Sequence, residues 1–532
     1  MSQFSLKQQR LNQGVEYLKN KQLQQAIAVS RSLNHDYPDC ANSWYFTNQV
    51  ALASGNLNVA LTSLDKACAL NNNPNWQLQL AKLALQGQQY AKAKKLVQQL
   101  SSQTLSANQD NQLALLLSQL DSPKLAIQHY QSAINKDASN HQHYYSLGAV
   151  QRHQGDLVDA ERSLTKAIEL NPLDVDAHCL RVDLRKQTKQ GNYIEQLHSL
   201  LGRSLSAKDT VQVQFALAKS YEDLQQYGQA FKHLDEGCQL RRKHLNYDIN
   251  QDIKIIDSIK EVFDANWLQQ HGSTPIDNNS SAPVFIIGMP RVGSTMVDQL
   301  LAMSQQIQPL GELNHFSSVL SQLSRQLKKP INSAEQFVRC ASEVDFAQLG
   351  QRYSQSVQQQ FAEKLVNKRM FSDKLPLNYL YVGLIKAAIP NAKFIHVQRD
   401  PMDTCYAVYK TLFQQVYPFS YEQTELAQYY VAYRQLMQHW QQLCGDSMYQ
   451  LQYEDLVADP QQQGKALYQF LQLQWHDNYA NIENSSTHVT TASASQVRQS
   501  IHNKSVNKWR HYQQQLQPMQ NILQQADLLD SE

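Results

Sequence analysis

Apolar residues in the first half of the chain return at helical spacing. Tyr144, Leu147 and Gly148 share one face, Ala160, Leu164 and Ala167 share the next, and polar residues, many of them glutamine, fill the positions between. This rhythm predicts paired amphipathic helices with solvated outer faces. The pairs recur with a period of about 34 residues, the mark of a stacked helix-turn-helix array. From Pro283 the pattern changes. Pro283 to Ile287 and Phe394 to Val397 are short continuous apolar runs, each followed by a helical pattern, which predicts buried parallel strands alternating with helices. A Gly, Pro, Asn and Ser cluster from His271 to Pro283 marks the boundary. The expected architecture is an all-α repeat region over residues 1–243, a helical connector and linker over 244–282, and an α/β domain over 283–532.

The clearest repeat begins near His141 and runs through Tyr144, Leu147, Gly148, Gly155, Ala160, Leu164 and Ala167 to a closing Pro172. Earlier copies keep Gly14, Tyr17, Ala26 and Pro38, then Trp44, Ala51, Ala60, Leu64 and Ala67; a last one keeps Leu217, Tyr221, Ala230 and Leu234. In order and spacing this resembles the tetratricopeptide repeat, with about seven units between residues 7 and 243. Small residues where helices approach and large ones between pairs are packing residues. The resemblance implies an α-solenoid whose concave surface binds a protein or peptide, or supports a homo-oligomer.

Composition narrows the partners. Against 532 residues, 48 basic and 46 acidic side chains leave a net charge of +2, so nucleic acid is not expected. The seven cysteines are scattered without metal-site spacing and read as reduced core residues. No apolar run is long enough for a membrane span or a leader, so a soluble, cytoplasmic protein without a membrane partner is expected.

The chemistry-bearing stretch follows the first apolar run: Gly288-Met-Pro-Arg-Val-Gly-Ser-Thr295, opening a helix. Strand, Gly loop and helix start together favour a bound anion, because main-chain N–H groups and the helix dipole converge there. The spacing matches an ATP-binding loop, but Ser294 stands where the phosphate-reaching lysine belongs. A second block, Lys393 to Lys410, places Arg399 and Asp400 at a strand's carboxyl end, where ligands of parallel sheets bind. A third, Thr491 to Tyr512, is basic and Ser-rich.

The three blocks, in this order, are similar to the sulfotransferases that use 3′-phosphoadenosine 5′-phosphosulfate (PAPS), and among them to the protein-tyrosine sulfotransferases. The family's usual loop is P-R-S-G-T-T; here Val292 replaces the serine, and Ala407 stands eight positions beyond Arg399 where the family has another serine. The resemblance implies a phosphate-loop fold, PAPS as donor without a metal, and a hydroxyl acceptor, peptide tyrosine being favoured. It assigns the donor to Pro290, Arg291, Val292, Gly293, Ser294, Thr295, Arg399, Tyr453, Ser493 and Lys508. Glu312 would be the catalytic base, with Arg291 and Lys374 supporting the leaving phosphate. His315 is a rival base, and His396, inside an apolar run, reads as a core residue. Three alternatives stay open: a carbohydrate or small-molecule sulfotransferase, a repeat scaffold whose catalytic domain is weakened, and a magnesium-dependent nucleotide enzyme, which the missing loop lysine disfavours.

Overall fold

The computed structural model describes residues 3–271, 282–413, 416–482 and 501–529. The N-terminal region is helical throughout, in seven successive pairs from Gln3–Lys19 with Leu23–Asp36 to Ala207–Asp223 with Tyr227–Lys243. Within each pair, alanines carry the close approach: Ala26, Ala60, Ala93, Ala126 and Ala160 are all fully enclosed. In the His141 copy the approach is tighter still. A Cβ on Gly148 would stand 2.8 Å from Leu164 Cγ and 3.2 Å from the Ala160 carbonyl. The sixth pair is irregular, as the spacing predicts: Val175–Asp183 and Ile194–Leu201 are short, and Arg181 stacks 3.8 Å from the ring centroid of Tyr193 in their connection.

The chain forms two compact units. One comprises Met1–Gln151 with Val158–Pro172, the other Arg152–Leu157 with Leu173–Glu532. The first is held by pair-to-pair apolar contacts and by enclosed polar bridges. Asn48, for example, donates to the Ala60 carbonyl at 2.9 Å and accepts from Gln79 at 3.1 Å.

The second unit is built on a five-stranded sheet, β1 (Ala282–Ile287), β2 (Ile307–Pro309), β3 (Met370–Asp373), β4 (Lys393–Gln398) and β5 (Met448–Gln452). The spatial order is β2-β3-β1-β4-β5 and every pairing is parallel, with Phe285 opposite Asp373 and Ile287 opposite His396. Both faces of the sheet are covered, which explains why the central strands are buried at nearly every residue instead of every second one, including the polar Ser372, Asp373 and His396. The last helix pair belongs to this unit. Phe215, Ala218, Ala230, Leu234 and Cys238 share one apolar core with Phe285, Ile395 and Trp440.

Candidate active site

Every strand of the sheet ends at a candidate residue. The loop Gly288–Thr295 follows β1, Glu312 follows β2, Lys374 follows β3, Arg399 follows β4 and Tyr453 follows β5. With all strands parallel, these ends lie along one edge, the place where open α/β sheets bind ligands.

The loop requires its glycines. Gly288 has φ +149°, and a Cβ there would come within 2.6 Å of the Val397 carbonyl. Gly293 has φ +100° and caps the helix Ser294–Ala302 without a side-chain hydrogen bond, so the helix start presents main-chain N–H groups to the loop. Arg291 also has positive φ, +68°, in the left-handed region that few non-glycine residues adopt. Val292 is buried, with its Cγ2 3.3 Å from where a Cβ on Gly288 would stand. Pro290, Ser294 and Thr295 are buried with it.

Glu312 and Lys374 are joined through their backbones and their charges. β2 and β3 are neighbours, the Lys374 N–H donates to the Gly311 carbonyl at 2.8 Å, and Lys374 Nζ donates to Glu312 Oε1 at 2.6 Å. The lysine side chain is only 2% exposed and the carboxylate 45%, so the cation is fixed and the carboxylate opens to solvent. Two buried acids lie behind them. Asp298, on the loop helix, accepts from Ser372 Oγ and is pushed up to about 6 by burial, with Lys374 opposing. Asp373 accepts from Tyr353 Oη at 3.0 Å and Asn378 Nδ2 at 3.2 Å, and burial pushes it up to about 7. His315 heads the next helix and is buried; desolvation holds it down at about 4, so it is neutral near pH 7. Tyr417 packs edge-on against Phe413 at 4.7 Å between ring centroids; burial pushes its hydroxyl up, and the Glu312 charge adds to the shift.

Arg399 is 7% exposed. Its guanidinium donates to the Arg291 carbonyl at 3.3 Å and to the Ser505 carbonyl, faces Asp403 at 3.7 Å, and lies 4.9 Å from the Tyr453 ring centroid. Tyr453 in turn packs on the loop, since a Cβ at Gly293 would meet its Cδ2 at 2.6 Å. Arg399 Nε is buried and has no hydrogen-bond partner among the described residues. Burial and the nearby Arg399 push the Arg291 guanidinium below its ordinary range, with Asp183 opposing.

Lys508 begins the turn Lys508–Tyr512, held to the site by the Asn507 N–H, which donates to Asp403 Oδ2 at 2.6 Å. Ser493 lies outside the described residues. His396 is enclosed in β4 with Nε2 2.7 Å from Tyr433 Oη. Four charged residues escaped the sequence reading: Asp298, Asp373, and Lys410 with its ion-pair partner Glu222, 2.9 Å away. Lys410 could have been found, because it closes the block after β4 seven positions beyond Asp403, on the same helical face. Among the described residues there is no metal-binding cluster of His, Cys, Asp and Glu, and no helix is long and apolar enough to cross a membrane.

Residues 283–477 match the family model of the sulfotransferase family, and residues 111–175 that of the tetratricopeptide repeat. An uncharacterized protein of Aquifex aeolicus (strain VF5) is 28% identical over 380 residues, which cover 70% of this chain and 49% of the relative, so the match spans about half of that protein. Among solved structures, the sulfotransferase domain from the Synechococcus PCC 7002 olefin synthase is 19% identical and covers 49% of this chain and 99% of its own, with a TM-score of 0.35. The sulfotransferase domain from the curacin biosynthetic pathway is 19% identical, with 46% and 98% covered and a TM-score of 0.31. Pseudomonas aeruginosa pilF is 15% identical, with 44% and 99% covered and a TM-score of 0.33.

Proposed function

Since this chain joins tetratricopeptide repeats to a sulfotransferase domain, we propose that it moves a sulfuryl group from PAPS to an acceptor hydroxyl, with a peptide tyrosine as the favoured acceptor. The observation that carries the reading is the Glu312–Lys374 pair beside the Gly288–Thr295 loop, with Arg399 and Tyr453 at the neighbouring strand ends.

In this reading the loop main chain, Ser294 and Thr295 hold the sulfate-bearing 5′-phosphate, Arg399 takes the 3′-phosphate through the Nε that has no partner among the described residues, and Tyr453 lies by the adenine. Lys508, next to the Asn507 that bonds Asp403, faces the nucleotide, and Ser493 is given to it by the resemblance alone. Glu312 accepts the acceptor's proton as the acceptor oxygen bonds to sulfur and the bond from sulfur to the bridging phosphate oxygen breaks. Adenosine 3′,5′-bisphosphate leaves. Lys374 exchanges its bond to Glu312 for one to that bridging oxygen, which frees the carboxylate as charge develops on the leaving group. Arg291 supports the same oxygen from the loop. In this reading no metal is needed, since Lys374 and Arg291 supply the positive charge at the departing phosphate. The aromatic pair Phe413 and Tyr417 near Glu312 suits a phenolic acceptor. The repeats present the polypeptide, in keeping with a cytoplasmic enzyme that acts on proteins.

Calorimetry with adenosine 3′,5′-bisphosphate and with ADP, each with and without magnesium, tests the donor. Metal-independent preference for the bisphosphate supports it, and preference for ADP with magnesium overturns it. Transfer of labelled sulfate from PAPS to tyrosine peptides, set against saccharides and small phenols, tests the acceptor.

A further inference from the structure

The helix Pro401–Tyr409 carries a charged and aromatic stripe: Asp403, Tyr406 and, at its C-terminal cap, Lys410 follow at three- and four-residue steps and so lie on one side. That side faces the last helix pair. Lys410 Nζ donates to both carboxylate oxygens of Glu222, at 3.0 and 2.9 Å, and Tyr406 Oη donates to the same carboxylate at 2.9 Å. Glu222 stands near the end of the repeat helix Ala207–Asp223. At the other end of the stripe Asp403 faces Arg399 and accepts from the Asn507 N–H, which brings Lys508 over the same surface. The ring of Tyr406 meets that of Tyr512 at 5.0 Å, and Tyr512 meets Tyr227 and Phe231 of the last repeat helix at 5.6 and 5.7 Å. Repeat pair, stripe and C-terminal segment are one packed layer beside the loop.

This layer collects cations. Burial pushes Lys410 below its ordinary range, Glu222 opposes the shift, and Lys508 and Arg291 add to it. Burial pushes the Glu222 carboxyl up, but Lys410, Lys508 and the Tyr406 hydroxyl outweigh it and hold the group below the usual carboxylate range. Four cations, Arg291, Arg399, Lys410 and Lys508, in a partly enclosed space repel one another unless anions sit among them. Glu222 supplies one such anion, and the buried Arg399 Nε still lacks a partner among the described residues.

We propose that Lys410 is a phosphate ligand of the donor site and that Glu222 is its resident counter-ion, an internal carboxylate that the donor's 3′-phosphate displaces. The proposal rests on the donor reading above. It gives the last repeat pair a direct part in donor binding. Whatever draws Glu222 away from Lys410 tightens the donor, and by linkage the donor loosens Glu222 and the helix that carries it.

A purely structural ion pair predicts something different. Breaking such a clamp from either side would disturb the site in one direction, whereas a ligand and its competitor respond oppositely. Calorimetry on the full chain compares adenosine 3′,5′-bisphosphate with adenosine 5′-monophosphate. Lys410→Gln is expected to weaken the bisphosphate about tenfold or more while the monophosphate stays within about twofold, the loss of one charge-assisted bond. Glu222→Gln, which keeps an acceptor for Tyr406, is expected to tighten the bisphosphate severalfold and carries the test alone if Lys410→Gln does not fold. Weakening or no change in Glu222→Gln, or an unchanged bisphosphate preference in Lys410→Gln, overturns the assignment and leaves the donor reading standing. A wild-type chain that does not prefer the bisphosphate overturns both.

Discussion

Lys374 and Glu312 illustrate how unequal burial divides labour within an ion pair. The enclosed lysine has lost its hydration and depends on its bond to Glu312, while Glu312, almost half exposed, can turn to an incoming hydroxyl. Glu312→Gln is therefore expected to lower turnover about a hundredfold or more, in the range of a general base, with donor affinity nearly unchanged. Weakened donor binding at normal turnover would make the residue structural. A second prediction concerns His396, which desolvation holds down at about 3 with Tyr433 as its neighbour. In the unfolded chain the same ring titrates near its ordinary value, so as pH falls below about 6.5 the unfolded state binds the extra proton and the folded state loses stability by up to ~1.4 kcal/mol per pH unit. Any stability advantage of the wild type over His396→Gln should shrink between pH 6.5 and 4 in urea titrations. A constant difference would mean that the ring is protonated in place. Asp298 and Asp373, raised by burial to about 6 and 7, act in the opposite sense: their unpaid ionisation costs stability as pH rises, so the measurement is a difference between variants.

At the scale of elements, close approach decides which residues are tolerated. Gly148 lets its helix lie against Ala160 and Leu164, and a branched side chain there would meet both. Gly148→Val is expected to destabilise the first compact unit by ~1–3 kcal/mol through overpacking, read as an earlier melting transition. An unchanged transition would mean that the pair can spread at no cost. The loop after β1 obeys the same logic with a different purpose. Its glycines keep the backbone within reach of Val397 and Tyr453, and so bring main-chain N–H groups and Arg399 to one place.

For the whole molecule, the division of compact units falls inside the repeats, after Pro172. The last pair contributes Phe215, Leu234 and Cys238 to the core of the sheet, and Arg242 forms a two-pronged ion pair with Glu425, both bonds at 2.7 Å. A chain beginning at Leu173 should therefore fold with a cooperative transition. One beginning at His244 loses that cover, several buried side chains at ~1.5–3 kcal/mol each, and should aggregate or melt without cooperativity. Equal solubility and equal melting of the two would show that the last pair is dispensable to this unit.

Much of this was legible along the chain. Helical spacing and alanine positions mark the repeats because each pair uses the same local packing, and apolar runs mark buried strands because both faces of the sheet are covered. The loop, Arg399 and Tyr453 announce themselves because residues at strand ends are set by local geometry. What no local pattern carries is the order β2-β3-β1-β4-β5, and that order alone brings Glu312 and Lys374, 62 positions apart, into one ion pair. Asp298 and Asp373 look like ordinary acids in sequence, since their elevated ionisation comes from desolvation by elements far away in the chain. Glu222 reads as one more solvated repeat residue, and only the tertiary packing of the last pair sets it against Lys410, because charge interactions depend on distance in space and not on separation along the backbone.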